Sequence, residues 1–275
     1  MEKVRAYKLT RPDGFDFYTG KTINYAANLG GVVKPPKPNA ELGICSSGVI
    51  HASINPNDCF IGAKIPCRAF VVEGMPVCGD KKKYGFTELA IVKEITDLDT
   101  LFGWKYSETT NPINPFSIKP NKVTKKDLDT LKQWDSVRAS VRASVGASVR
   151  DSAWDSVRDS VRDSVWDSAW DSVRDSVGDS VWDSVWDSAW ASVWASAGDS
   201  AWASAGASVW DSVGAYIGSL FPNITKWEYV PPDIKGYPYQ SAVDLWKRGF
   251  VASHDGKHWR LHSGKDAKIV WVGKI

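Results

Sequence analysis

The chain has no run of about 18 apolar residues, so no segment is expected to span a membrane. Its first ten residues, Met1 to Thr10, are charged and lack an apolar h-region, so no secretory leader is expected. Cysteine is scarce: Cys45, Cys59, Cys67 and Cys78 are the only four. None forms a C-x-x-C knuckle, which argues against a zinc site shared with His51. Without an export signal, reduced thiols in a cytoplasm are the expectation. A P-loop, a Rossmann glycine fingerprint and a nucleophile elbow are also missing, and no cofactor is expected.

What the chain has in excess is one repeat. Asp135 to Gly214 is twenty tetrads in unbroken register. The first place is Asp in thirteen and Ala in seven, and the second is always Ser. The third is Val in fourteen and Ala in six; the fourth is Trp in nine, Arg in six and Gly in five. Asp and Ala, Val and Ala, and Trp, Arg and Gly interchange by single base changes, so a multiplied 12-nucleotide unit explains the pattern. A place that accepts an indole, a guanidinium and a hydrogen is expected to face solvent or a forgiving neighbour. Ser and Val/Ala are the expected packed seam.

In a helix the second and third places lie about 100° apart and share a face, whereas in a strand they point oppositely. A period of four drifts about 40° per tetrad against 3.6 residues per turn, so the seam winds in a right-handed sense. One continuous helix would be a rod of about 120 Å. Ser, Val, Asp and Trp are mediocre helix formers, but pairs such as Asp155 and Arg158 lend support. The competing reading is a β-solenoid. The unit Ala-Ser-Val-x resembles the pentapeptide repeat A-[DN]-L-x-x shortened by one. That resemblance implies a square right-handed β-helix with first and third places inward, which would bury rows of Asp.

Charge is divided along the chain. Residues 1–134 carry 19 basic and 14 acidic residues, the array 6 Arg and 13 Asp, and residues 215–275 nine basic and five acidic. Basic ends could therefore attract an acidic middle between copies.

The first 110 residues read as an α+β head. Val4 to Leu9, Phe15 to Tyr18, Gly48 to Ser53, Cys67 to Glu73 and Glu88 to Ile95 read as strands. Asn55-Pro56-Asn57-Asp58 is a helix start, and Asp97 to Trp104 suits a short helix. The run from Cys45 through Gly48, His51, Asn55-Pro56 and Asp58 to Cys59 resembles a signature of a domain found in phage and prophage proteins, often with repeats. That resemblance covers roughly residues 4–100 and implies a phage-type origin without a chemistry. The head also resembles ADP-ribosyltransferases. Arg5 on the first strand, His51 with Ser53, and Glu88 before a strand stand where those enzymes place functional residues. The resemblance implies that Glu88 orients a ribose hydroxyl and stabilises an oxocarbenium-like transition state. Ser-Thr-Ser and Glu-x-Glu are absent.

Residues 111–123 read as a proline-punctuated linker. Thr124 and Asp127 form a capping box that opens a leading helix at 124–134, running into the array without a stop signal. Residues 215–275 read as a small α+β domain: a helix from Tyr239 to Gly249, a hairpin from Phe250 to His262, and a strand from Ala267 to Val272. His254, His258 and His262 recur every four residues as weak metal candidates, but Asp255-Gly256 breaks any helix that would align them. Trp259 between Lys257 and Arg260 could stack a base or sugar.

The sequence thus predicts an α+β protein: head 1–110, array 135–214 as a helical rod, and C-terminal domain 215–275. The expected function is that of a non-enzymatic structural or interaction protein of phage type in the host cytoplasm. Trp154, Trp166, Trp170, Trp182, Trp186, Trp190, Trp194, Trp202 and Trp210 are the expected contact residues of a homo-oligomer. No nucleic-acid or membrane partner is expected. The alternative is a transferase head, through Arg5, His51, Ser53 and Glu88, on a repeat spacer.

Overall fold

A computed structural model of the chain describes residues 2–44, 46–80, 82–119, 122–150, 164–177, 181–187, 189 and 208–275. They form a mixed helix and sheet structure in two compact units. One unit is Met1–Ser107 with Val177–Ser184; the other is Glu108–Ser176 with Val185–Ile275.

The first unit is built on an antiparallel sheet ordered β1-β4-β7-β2. Strand β1 (Val4–Thr10) pairs along its length with β4 (Arg68–Gly74). Strand β7 (Leu89–Ile95) joins β4 to the short β2 (Val32–Val33). A smaller sheet holds β3 (Ile50–Ala52), β6 (Tyr84–Phe86) and β5 (Cys78–Gly79) in the order β3-β6-β5. A bridge between Tyr7 and Ser53 links the two sheets. Alternate residues of the strands, including Ala6, Phe70, Val72, Ile91, Ile50 and Phe86, bury together around Tyr25. Each large side chain buried there contributes about 1.5–3 kcal/mol.

A second cluster is aromatic. Asn55 caps a 3-10 helix at Pro56–Ile61 by accepting from Asn57 N, as its Asn-Pro start predicts. Asp97 caps α1 (Leu98–Phe102), and the short α2 (Tyr106–Thr110) follows. Phe60, Phe102, Trp104 and Tyr106 pack with ring centroids 5.1–6.0 Å apart. Phe15 to Tyr18 is not the strand its alternation suggested. Only Phe15 makes a bridge, to Asn24, and the segment turns around Asp16 instead.

In the second unit, Thr124 N donates to the Asp127 carboxylate at 2.8 Å and Asp127 N to the Thr124 hydroxyl at 3.3 Å. This is the capping box that opens α3 (Lys125–Arg150). Every described residue of the array is helical: the end of α3, α4 (Ser164–Val177), residues 181–187, residue 189, and the start of α5 (Ser208–Gly218). No β-solenoid strand occurs among them.

The expected continuous rod is corrected by one ion pair. Arg138 Nε lies 2.5 Å from Asp211 Oδ2. These residues are 73 positions apart, and a straight helix would separate them by about 110 Å. The array therefore folds back so that its first and last tetrads meet. The physical reason is burial: a lone helix of this composition has little stability of its own, and return of the chain covers its seam.

The third place is that seam. Val141, Ala169, Val173, Val185, Val209 and Val213 are all buried. The invariant serines supply polar satisfaction beside it. Ser172 Oγ accepts from Glu228 N at 3.0 Å, Ser168 Oγ donates to Glu228 O, and Tyr239 Oη donates to Ser168 Oγ at 2.7 Å. The fourth place is not simply solvent-facing, since Arg138 and Trp182 are buried. A buried Asp also occurs, Asp211, because Arg138 neutralises it.

Residues 111–123 read as a linker, yet several of them pack. Pro115 and Phe116 are buried. Ile113 N donates to Tyr216 Oη at 2.7 Å, and Ile113 O accepts from Trp246 Nε1 at 2.8 Å. The Tyr216 and Trp246 rings stack with centroids 5.0 Å apart. Helix α6 (Gln240–Lys247) leads into a sheet of β8 (Val251–His254), β9 (Trp259–Ser263) and β10 (Lys268–Gly273), with β9 central. Arg248 grips Asp127 with two bonds of 2.9 and 3.0 Å. Among the described residues, no helix is long and apolar enough to cross a membrane.

Candidate functional site

The first unit contains a cleft of about 770 Å³ where β1, β3 and the turn after Asp16 meet. Its position follows from local chemistry. Asp16 Oδ1 accepts from Thr19 N and Oδ2 from Thr19 Oγ1, both at 2.7 Å, which folds residues 16–19 into a tight turn. That turn sets Phe17 and Tyr18 at the cleft, where Tyr18 is 94% exposed. Pro35 and Pro36 line the cleft as well. From the other side, Asp80 accepts from the backbone of Lys82 and Lys83, closing the β5–β6 turn and placing Lys83 in the lining.

Lys8 follows Val4 and Ala6 at strand spacing, so its stem shares the inward side of β1. Its ammonium stands 5.3 Å over the buried Tyr25 ring. Burial lowers the Lys8 pKa, with Lys83 acting the same way, while Cys59 and Asp16 oppose the shift. His51 pairs in register with Gly85 on β6. A Cβ on Gly85 would lie 2.5 Å from Cys78 Sγ, so the close approach of β5 requires glycine there. Burial, then the positive charges of Lys8 and Lys83, depress the His51 pKa to about 4. The imidazole is therefore neutral at pH 7.

Cys59 Sγ donates to Tyr7 O at 3.3 Å, and burial raises its pKa. It is held as a thiol, the unreactive form. Burial works against the Asp16 carboxylate, but the bonds from Thr19 and the nearness of Lys8 keep its pKa below the ordinary value. The cleft thus offers a cation, a neutral imidazole and an open aromatic ring. An activated thiolate is not on offer.

The four transferase candidates are not assembled. His51 and Ser53 line the cleft; Arg5 and Glu88 do not. Arg5 lies one residue out of phase with Lys8, is 62% exposed and sits 3.9 Å from Glu73. Glu88 is 59% exposed and pairs with Lys34 at 2.9 Å. Lys8, Asp16 and Lys83 were missed in the sequence. The signal for Lys8 was present, as a charge at the register of Val4 and Ala6.

The metal candidates diverge. His262 is buried, with Nε2 2.7 Å from Ser253 Oγ and Nδ1 3.1 Å from Ala267 O. His254 lies against the Trp259 ring. Among the described residues, no group of three or more His, Cys, Asp or Glu is placed to hold a metal, and Cys45 lies outside them. Trp259 is buried, donates to Asp135 Oδ1 at 3.2 Å and lies under Arg138, so it offers no open stacking face.

Of the expected contact tryptophans, Trp182 is buried and Trp170, Trp186 and Trp210 are half-buried. Trp186 and Trp210 stack at 5.0 Å. Trp154, Trp190, Trp194, Trp202 and the Trp166 side chain lie outside the described residues. Comparison with protein-family models, characterised proteins and solved structures finds no match to this chain.

Proposed function

We propose that this is a non-enzymatic binding protein of phage type, with a small-ligand site in the head and the tetrad array as scaffold. The observation that supports it is the cleft with Lys8 and His51 at its lining and the Cys59 thiol held in its unreactive form. Its volume falls inside the range of about 300–1,000 Å³ typical of small-molecule sites. The phage-type origin rests on the stretch from Cys45 to Cys59. The scaffold role rests on Arg138 meeting Asp211 and on Trp186 stacking with Trp210 within one chain.

The transferase reading keeps His51 and Ser53 but loses the carboxylate it needs, since Glu88 lies away from the cleft. One experiment separates the two. The full chain is screened by thermal shift against a metabolite set that includes NAD, and each hit is incubated and recovered. Binding with the ligand recovered intact, and no nicotinamide released from NAD, is the expected result. A converted hit would overturn the non-enzymatic reading, and a set without any hit would overturn the binding reading.

A further inference from the structure

We infer that the head cleft takes an aromatic phosphate monoester, with the phosphate on Lys8 and the ring against Tyr18. The inference rests on the reading of the head as a binding module and names its ligand class.

Three independent observations converge on it. Lys8 has no ion pair among the described residues; its ammonium stands over the Tyr25 ring at the cleft, with Asp16 near enough to act on its charge. A desolvated cation that no carboxylate bonds directly favours an incoming anion. The second observation is the surrounding charge. Lys83 and Lys37 line the same cleft, against Asp16 and Asp58. Both Asp16 oxygens are already bound by Thr19, so that carboxylate keeps its charge but is held in its turn, and three lysines face two carboxylates at the cleft. Lys8 and Lys83 both press on neutral His51, and a dianion would relieve that potential better than a monoanion. His51 then adds one neutral hydrogen-bonding group.

The third observation is the aromatic side. Tyr18 is 94% exposed at the cleft although tyrosine ordinarily buries much of its ring. The Asp16–Thr19 turn fixes it there. A planar ring lying on Tyr18 would cover that face. The cleft is too large for inorganic phosphate alone, at about 770 Å³, and suits a ring joined to a phosphate by a short linker.

The test is calorimetric titration of the full chain at fixed ionic strength. The probes are adenosine monophosphate, cytidine monophosphate, 4-nitrophenyl phosphate, adenosine and inorganic phosphate. At least one ester is expected to bind ten or more times tighter than adenosine and inorganic phosphate. Lys8→Gln should weaken the ester at least tenfold and leave adenosine unchanged, with Lys8→Arg restoring part of the loss. Tyr18→Ala should weaken the ester and leave inorganic phosphate unchanged. Lys93→Gln, an exposed charge outside the cleft, should change nothing. Ester affinity equal in wild type and Lys8→Gln, with both melting normally, would overturn the inference. So would failure of all three esters to bind. In that case a neutral or cationic hit from the metabolite screen leaves the binding module standing, whereas no hit removes both.

Discussion

Two cations are withdrawn from water in this chain, and they are treated differently. Arg138 is 6% exposed and meets Asp211, which is fully buried, at 2.5 Å. Lys8 is half-buried over a ring and has no ion pair among the described residues. Both withdrawals cost free energy. At Arg138 the chain supplies the opposite charge from 73 positions away, so the cation holds two parts of the array together. At Lys8 the chain supplies only the nearby Asp16 carboxylate, whose two oxygens are bound by Thr19, and on the proposed reading a ligand brings the direct partner. On the proposed reading, a buried charge answered within the chain is structural, and one without a direct partner beside a cleft is a binding device.

The largest effect comes from breaking the answered pair. Asp211→Ala leaves Arg138 buried without compensation and is expected to lower stability by about 3–5 kcal/mol. The double change Arg138→Met with Asp211→Leu should recover most of that loss, because no charge is then stranded. Denaturant midpoints of the single and double variants decide it. A single variant with wild-type stability would mean that the two ends of the array do not meet in solution.

The second prediction probes the open side. The His51 pKa lies near 4 in the folded chain against an ordinary value of 6.5. The unfolded state then binds the extra proton first, so stability is full above pH 6.5 and falls as pH drops toward 4. The loss attributable to a half-buried imidazole is on the order of 2 kcal/mol over that window. Lys8 and Lys83 are the charges that face it, and Lys8→Gln should reduce the slope. Replacing His51 with Gln should flatten it further. A wild-type stability curve flat between pH 6.5 and 4 would sink the assignment of a neutral, desolvated His51.

The local punctuation of the chain was legible, because its causes lie within a few residues. The Asn55 cap, the Thr124–Asp127 box and strands β1, β4, β7 and β10 follow from caps and alternation. Helix in the array was legible from the shared face of Ser and Val. Its return was not, because the tetrads are nearly alike and nothing local marks which Asp meets which Arg. Arg138 and Asp211 form one buried salt bridge of that kind. The site was half legible. His51 and Ser53 stood out on a strand, but Glu88 and Arg5 entered by resemblance; the strand phase of Arg5 turns it away, and Glu88 precedes β7 and pairs with Lys34. Asp16 was hidden because the strand read at Phe15 to Tyr18 is a side-chain turn.

The smallest expected effects sharpen the comparison from its other end. Arg5 near Glu73 and Lys34 with Glu88 are ion pairs that remain largely in water. Each ion is hydrated before and after pairing, the Coulomb gain is screened, and two long side chains lose freedom to meet. Arg5→Gln and Glu88→Gln should therefore each shift stability by no more than about 0.5 kcal/mol. Neither should alter ligand binding in the cleft, because neither residue lines it. The transferase reading demands the opposite for Glu88, a loss of function with the fold intact. Calorimetry on Glu88→Gln beside Lys8→Gln measures both claims with one ligand. If Glu88→Gln abolishes binding and Lys8→Gln does not, the open cation is not the device and the functional carboxylate lies at Glu88 after all.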